Sequence, residues 1–375
     1  MKICFFSLSA YPLFNSKCSA PFGGAEVQLF NFATELAKRS DLQVDFITGD
    51  FGQRDLEVIR GVTLIRSVRV EGKCSILARS ISIFMQLHAI FRSNADIYIQ
   101  RSAGIQTGLL ALFCLVFRRR FVYMTAHDWD CDGSYAKKNG FIGKIYGWGL
   151  RHAHVVIAQS DKQKFSLSKC CRVNSVVLKS GYDISTKKNL LKDNSILWVA
   201  RLNQWKQPEV FLNLAKQFPE KKFVMIAPVS GDELYSKEIG RYAEEIENLT
   251  YITGLPFQET EKYFAKSAVF VNTSKCEGFP NTFVQALMYN VPILSFVVNP
   301  DGFLDKYSVG YCADGSFQNL VNSLLLLTEK KDIYELISKN ATEYVGKNHN
   351  IKTICEDFLC VIGFHRFGKA SGLFR

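Results

Sequence analysis

The chain has 375 residues, a length above which single hydrophobic cores stop growing, and so predicts two domains of roughly 150 to 200 residues. Its 47% hydrophobic and 22% charged residues exclude a disordered or fibrous chain. The formal net charge of +11 suits anionic partners, whether nucleic acid, an anionic leaflet or phosphorylated substrates. No zinc finger, recognition-helix pattern or aromatic–basic RNA signature accompanies that charge, and nucleic acid is not expected as a partner.

The opening segment "MKICFFSLSAYPLF" carries one lysine, has no clear small-residue cleavage site, and reads as a first strand. From there strand-length apolar runs alternate with helix-length amphipathic stretches, the pattern of parallel sheets covered by helices. The first half predicts strands at Ile3 to Leu8, Val44 to Thr48, Val62 to Ile65, Ile97 to Gln100, Phe121 to Thr125, Val155 to Gln159 and Val176 to Leu178. Helices fill 24–39, 75–92, 104–118, 141–151 and 161–169. The longest apolar run, Gly108 to Phe117, is well short of the roughly 20 residues that span a bilayer. Followed by Arg118, Arg119 and Arg120, it reads as a buried helix whose C-terminal dipole meets cations, with a membrane-contacting surface as the alternative.

A polar stretch, Ser185 to Asn194, interrupts the pattern and reads as a linker. Beyond it the alternation resumes, with strands at Ile196 to Ala200, Phe223 to Ile226, Thr250 to Thr253, Ala268 to Asn272 and Val291 to Leu294, and a largely helical tail after Phe317. The organisation expected is a Rossmann-like α/β domain over 1–185, a second over 186–351, and a tail, 352–375, packing back on the first. Doubly wound domains of this kind bind ligands at the carboxyl ends of their strands, so the cleft between them is the expected site. Eleven cysteines, an odd number without Cys-x-x-Cys pairs or zinc-ligand spacing, fit a reducing cytoplasm; the adjacent Cys170 and Cys171 read as structural thiols.

Four strand-to-helix loops carry the candidate chemistry. In "PFGGAEVQLF" Gly23 and Gly24 close a long loop before a helix, allowing a ligand near the backbone and the first helical N–H groups; a glycine turn without a ligand fits as well. In "ILWVARLNQWKQPEVF" Arg201 and Lys206 leave a strand, and such cations can clamp a diphosphate or simply be solvated. In "VNTSKCEGFPNTFVQALM" a strand ends in Glu277, Gly278, Phe279, Pro280 and Asn281, followed by a helix at Thr282 that carries Gln285. A carboxylate beside free amides suits sugar hydroxyls, which need both acceptors and donors. In "FVYMTAHDWDCDGSY" His127 follows a strand, either to meet a sugar or to serve the fold. The pair Asp130 and Asp132 invites comparison with a metal-binding Asp-x-Asp, though no other ligand is apparent and no metal is expected.

The third loop resembles the Glu-x7-Glu region of the family 4 glycosyltransferases, which have the GT-B fold. "EGFPN" after a strand, "VARLNQWKQPEVFLNLA" upstream, "GGAE" near the start and "SGYD" at the domain junction follow the family's order and approximate spacing. The resemblance implies a retaining hexosyltransferase-type enzyme using a nucleotide-sugar as co-substrate and no metal or other cofactor. It implies that Arg201 and Lys206 hold the donor diphosphate, that Glu277 contacts the transferred sugar, and that Gly278 to Asn281 present the loop to it. Gly24 would lie near the donor phosphates and His127 would face the sugar or acceptor. One departure stands out: the family's second glutamate, which meets the nucleotide ribose, is Gln285 here. The acceptor expected is a saccharide or lipid-linked saccharide in surface polysaccharide or glycolipid assembly, such as capsule or lipopolysaccharide. The enzyme would be cytoplasmic, held peripherally at an anionic membrane face by its basic charge. Two alternatives stay open: a GT-B-like sugar-nucleotide epimerase, and a non-catalytic relative that only binds sugar-nucleotide.

Overall fold

A computed structural model describes residues 1–18, 20–68, 76–186, 191–228 and 232–364. The chain divides into two compact units, one of Met1–Asp183 together with the stretch from Ile351 onward, the other of Ile184–Asn350.

In unit 1 the elements run β1 (Lys2–Phe6), α1 (Tyr11–Phe14), α2 (Gly24–Leu36), β2 (Gln43–Thr48), β3 (Leu56–Ile59), β4 (Val62–Arg66), α3 (Ile76–Ser93), β5 (Ile97–Arg101) and α4 (Ile105–Val116). They continue with β6 (Arg120–Met124), α5 (Ser134–Lys138), α6 (Gly140–Arg151), β7 (Val155–Ala158), α7 (Asp161–Ser166) and β8 (Val176–Val177). The sheet order is β3-β4-β2-β1-β5-β6-β7-β8. Every neighbouring pair is parallel except β3–β4. Strands β1 and β5 are buried over nearly their whole length, as parallel strands covered on both faces must be.

Unit 2 runs β9 (Ile196–Val199), α8 (Pro208–Gln217), β10 (Phe223–Ile226), α9 (Glu233–Glu244), β11 (Leu249–Ile252), α10 (Phe257–Lys266), β12 (Val269–Asn272), α11 (Asn281–Met288), β13 (Ile293–Ser295), α12 (Phe303–Lys306), β14 (Gly310–Cys312), α13 (Phe317–Glu329) and α14 (Lys331–Asn348). Its sheet, β11-β10-β9-β12-β13-β14, is parallel throughout. The last helix, α15 (Ile351–Val361), belongs to unit 1 and lies on α2, with Phe32 and Phe358 edge to face at 5.3 Å. There Arg39 pairs with Glu356 at 2.6 Å, and Arg120 donates to the carbonyl of Ile362 at 2.7 Å. The remainder of the expected tail, 365–375, lies outside the described residues.

Both domains are therefore doubly wound, the GT-B pattern, and four local expectations change. Leu56–Ile59 is an unforeseen strand, joined to β4 through Arg60 and Gly61, whose φ values of 55° and 78° suit the two-residue turn of a twisted hairpin. A further unforeseen strand, β14, closes the second sheet. The expected linker is a free connection only in part. Lys192 donates to the carbonyls of Ser267 at 2.9 Å and Tyr289 at 3.1 Å, and burial pushes its pKa down to about 8. That end of the stretch is fastened to unit 2, while 187–190 lie outside the described residues.

The fourth change concerns the run ending at Phe117. Helices α3, α4 and α6 share one core, with Ala89 and Ile90, Leu110 and Phe113, and Tyr146 and Leu150 in contact. On α4 the buried residues include the small Thr107, Gly108, Ala111 and Cys114, while Leu112, Leu115 and Val116 are exposed. The helix is half outside the core instead of buried: Leu110 and Phe113 pack inward, and the seam with α6 at Thr107 and Gly108 is too close for large side chains. A Cβ at Gly149 would stand 2.6 Å from the backbone of Thr107 and 2.7 Å from the Cα of Gly108. Gly149→Ala is therefore expected to lower stability by about 1–3 kcal/mol, the usual cost of overpacking. Urea unfolding of the variant against the parent protein measures it, and an unchanged midpoint would show that α4 and α6 can separate freely.

Candidate active site

In unit 2 the loops that follow β9 and β12 are tied together. The indole N–H of Trp198 donates to Thr273 Oγ1 at 2.8 Å, Thr273 Oγ1 donates to the carbonyl of Lys206 at 2.6 Å, and the Lys275 N–H donates to the carbonyl of Trp205 at 2.8 Å. This bracing brings Lys206 Nζ onto Glu277 Oε1 as an ion pair, with both side chains mostly buried. Ser274 Oγ donates to the same carboxylate oxygen at 2.9 Å, and the ammonium sits 4.0 Å above the Trp205 ring. A paired carboxylate and ammonium at two neighbouring strand ends offers one acceptor and one cation to a single ligand.

Arg201 leaves β9 in the same loop and is exposed. Gly278 and Pro280 are buried, and Pro280 caps α11, which Asn281 and Thr282 begin. Phe279 turns inward, 5.0 Å from Phe303 and 5.5 Å from His349 between ring centres, and so anchors the loop by its side chain. Gln285 is buried on α11.

In unit 1, Gly23 caps α2 in extended conformation and Gly24 is its first residue. The carboxylate of Glu26 closes that turn, accepting from the Gly23 N–H at 2.8 Å and from Ser7 Oγ at 3.3 Å. His127 caps a short 3-10 turn, Asp128–Asp130, with its ring edge to face on Trp129 at 4.0 Å. Asp130 points inward: Oδ2 accepts the N–H groups of Ala126 at 2.8 Å and His127 at 3.1 Å. Asp132 faces the other way and accepts the Ser134 N–H at 2.8 Å at the start of α5. The two carboxylates are thus committed to separate backbone turns.

Sequence reasoning passed over Glu26, which sits within the quoted "GGAE", and Arg101. The latter ends β5 almost fully buried, and desolvation lowers its pKa to about 10 against the opposing pull of Tyr182, Asp130 and Glu26. With the amide of Gln159 oriented to satisfy its surroundings, its oxygen accepts from the Arg101 guanidinium and its nitrogen donates to the carbonyl of Ala126 at 3.2 Å. The signal available was an arginine closing the otherwise apolar strand "IYIQR".

Burial also pushes the Asp130 pKa up to about 6, against the lowering effect of its backbone hydrogen bonds and Arg101. A carboxyl raised on folding takes up a proton in the native state between its unfolded and folded pKa values. Stability therefore falls as pH rises from about 4 to about 6 and is level above that. Asp130→Asn keeps an oxygen for the two amides and is expected to flatten this part of the profile. Urea unfolding across that range tests it, and parallel profiles for the two proteins would refute the assignment.

Residues 22–186 match the profile described as Glycosyltransferase Family 4, and residues 183–344 match Glycosyl transferases group 1. Among curated relatives, the chain is 24% identical over 142 residues to the Xenopus tropicalis "Glycosyltransferase 1 domain-containing protein 1", covering 38% of this chain and 41% of the relative. It is 24% identical over 222 residues to the Erwinia amylovora amylovoran biosynthesis glycosyltransferase AmsD, covering 54% and 60%. The matched region thus spans about half the length of these curated relatives. Among solved structures, sucrose-phosphate synthase from Thermosynechococcus elongatus superposes with a TM-score of 0.75 over 96% of this chain and 98% of that one, at 14% identity. That likeness speaks for the GT-B fold.

Proposed function

From the premise that the chain carries a family 4 and a group 1 glycosyltransferase domain in tandem, we propose that it is a retaining glycosyltransferase taking its sugar from a nucleoside-diphosphate donor. The observation that carries this reading is the Lys206–Glu277 pair, held by two loops that share a hydrogen-bonded brace at the strand ends of unit 2. When the bond from the anomeric carbon to the diphosphate breaks, the electron pair leaves with the diphosphate and negative charge grows on its oxygens. A cation already in place stabilises that charge without reorganising. Lys206 and Arg201 fill this role, and Glu277 together with the α11 amides grips the sugar hydroxyls. The acceptor hydroxyl oxygen forms the new bond to the anomeric carbon and passes its proton to the departing diphosphate oxygen. No metal is needed, because side-chain cations meet the leaving charge.

Unit 1 takes the acceptor, with His127 oriented by the Asp130 turn; Gly23 and Gly24, lacking side chains, let the donor approach the backbone before α2. The acceptor is a saccharide or lipid-linked saccharide of a surface polysaccharide or glycolipid, a reading supported by the basic charge and by the named role of the AmsD relative. On this reading the enzyme works in the cytoplasm, at the inner face of the membrane.

Two substitutions separate the roles. Lys206→Ala is expected to weaken nucleoside-diphosphate binding by about 10- to 100-fold, the loss of a charged hydrogen bond. Glu277→Ala should abolish transfer while leaving nucleoside-diphosphate affinity intact, since it removes a sugar contact and frees the ammonium. Calorimetric titration and product analysis against a panel of UDP-, GDP- and ADP-sugars decide this; conversion of donor without acceptor would indicate epimerisation instead. At Gln285 a neutral amide replaces a carboxylate, and Gln285→Ala is expected to weaken donor binding about fivefold, one neutral hydrogen bond to ribose. An unchanged dissociation constant would remove Gln285 from the donor site.

A further inference from the structure

Besides burying an apolar inner face, α3 and α4 carry large apolar side chains on their outer faces. On α3 the inward face includes Ser82, Gln86 and Ser93, all buried, whereas Ile81, Phe84 and Phe91 are exposed, Phe84 at 69%. On α4 Leu110 and Phe113 are buried beside the small Thr107, Gly108, Ala111 and Cys114, while Leu112, Leu115 and Val116 face out. The two stripes are continuous, since Phe91 on α3 meets Phe117, just past α4, edge to face at 5.9 Å. Two adjacent helices showing large apolar side chains outward form a patch of the kind that marks an interaction surface.

The charge around it selects the partner. Neither helix contains an Asp or Glu. Arg92 and Arg118 stand exposed at the two C-terminal ends and have no ion-pair partner among the described residues, while Arg119 is engaged with Asp96 at 3.3 Å. A second copy of this chain, itself carrying +11, would bring like charge to the patch. An anionic leaflet brings hydrocarbon to the apolar stripe and phosphate to the two guanidinium groups. No helix among the described residues is long and apolar enough to cross a bilayer, so such contact lies along the surface.

We propose that the outer face of α3 and α4, with Phe84, Phe91, Leu115 and Phe117 as apolar anchors and Arg92 and Arg118 as phosphate contacts, docks the protein on an anionic bilayer leaflet. The inference deepens the lipid-linked acceptor reading and rests on it for its purpose, but its test needs neither donor nor acceptor.

The full chain is sedimented with phosphatidylcholine vesicles containing or lacking phosphatidylglycerol. Binding is expected only to the anionic vesicles and is expected to weaken as salt rises. Phe84→Ser combined with Leu115→Ser should lower the partition coefficient about tenfold or more, and Arg92→Gln with Arg118→Gln about fivefold for each charge removed. These side chains project into solvent, and an unchanged circular dichroism spectrum verifies the variants. Binding that is absent, equal on neutral vesicles, or indifferent to both variants overturns the proposal. So does lipid-independent self-association that the Phe84 and Leu115 changes abolish. Failure of the parent protein to bind any nucleoside diphosphate would sink the transferase reading and leave the vesicle result standing.

Discussion

A parallel strand cannot be joined to its neighbour by a tight turn, so each crossover must leave one edge of the sheet, cross a face and return at the other. In both units this constraint sends the residues after the strands to the same edge. His127 follows β6, Arg101 closes β5, Arg201 follows β9, and Glu277 follows β12. Covering both faces with helices buries the strands, and the polar residues that do chemistry are left to the loops where backbone groups are unpaired. The positions of the candidate residues are consequences of this architecture before they are consequences of any ligand.

Placing charge at such an edge costs desolvation, and the two units offset it differently. In unit 2 the ammonium of Lys206 and the carboxylate of Glu277 neutralise each other, with Ser274 supplying a further donor. Breaking one member of a buried pair is costly because the other is left unpaired. In unit 1, Asp130 is met by backbone amides and only at longer range by Arg101, and its raised pKa records the uncompensated part. Its return is geometric: the carboxylate holds the main chain of Ala126 and His127, and the direction of the His127 ring follows from that turn.

The α3–α4 surface comes from a packing constraint of another kind. Helices α4 and α6 approach until Gly149 rests on the backbone of Thr107 and Gly108, which excludes large side chains from that seam. Of the bulky apolar residues of α4, Leu110 and Phe113 find room inside, whereas Leu112, Leu115 and Val116 stay outside. A helix that is apolar all round would ordinarily be buried, and here close approach along one side leaves the other apolar side open.

Much of this was legible along the chain. Buried parallel strands read as short apolar runs, so β1, β2, β5, β10 and β12 stand out in sequence, and the glycine pair before α2 and the "EGFPN" loop mark strand-to-helix junctions. The weak strand β3 did not, because its half-exposed alternation is stabilised only by pairing with β4. Nor did the roles of Arg101 and Asp130, since burial is a property of the assembled sheet and not of a residue's neighbours in sequence. The sequence by itself determined the alternating βα order, the doubling into two domains and the residue types at the strand ends, because these follow from local periodicity and composition. Only the tertiary structure decided that Lys206 would meet Glu277, that Asp130 would turn inward while Asp132 turned out, and that the most apolar helix would keep half its surface outside the core. Each of those depends on which distant segments come into contact, and on how closely their backbones can pack.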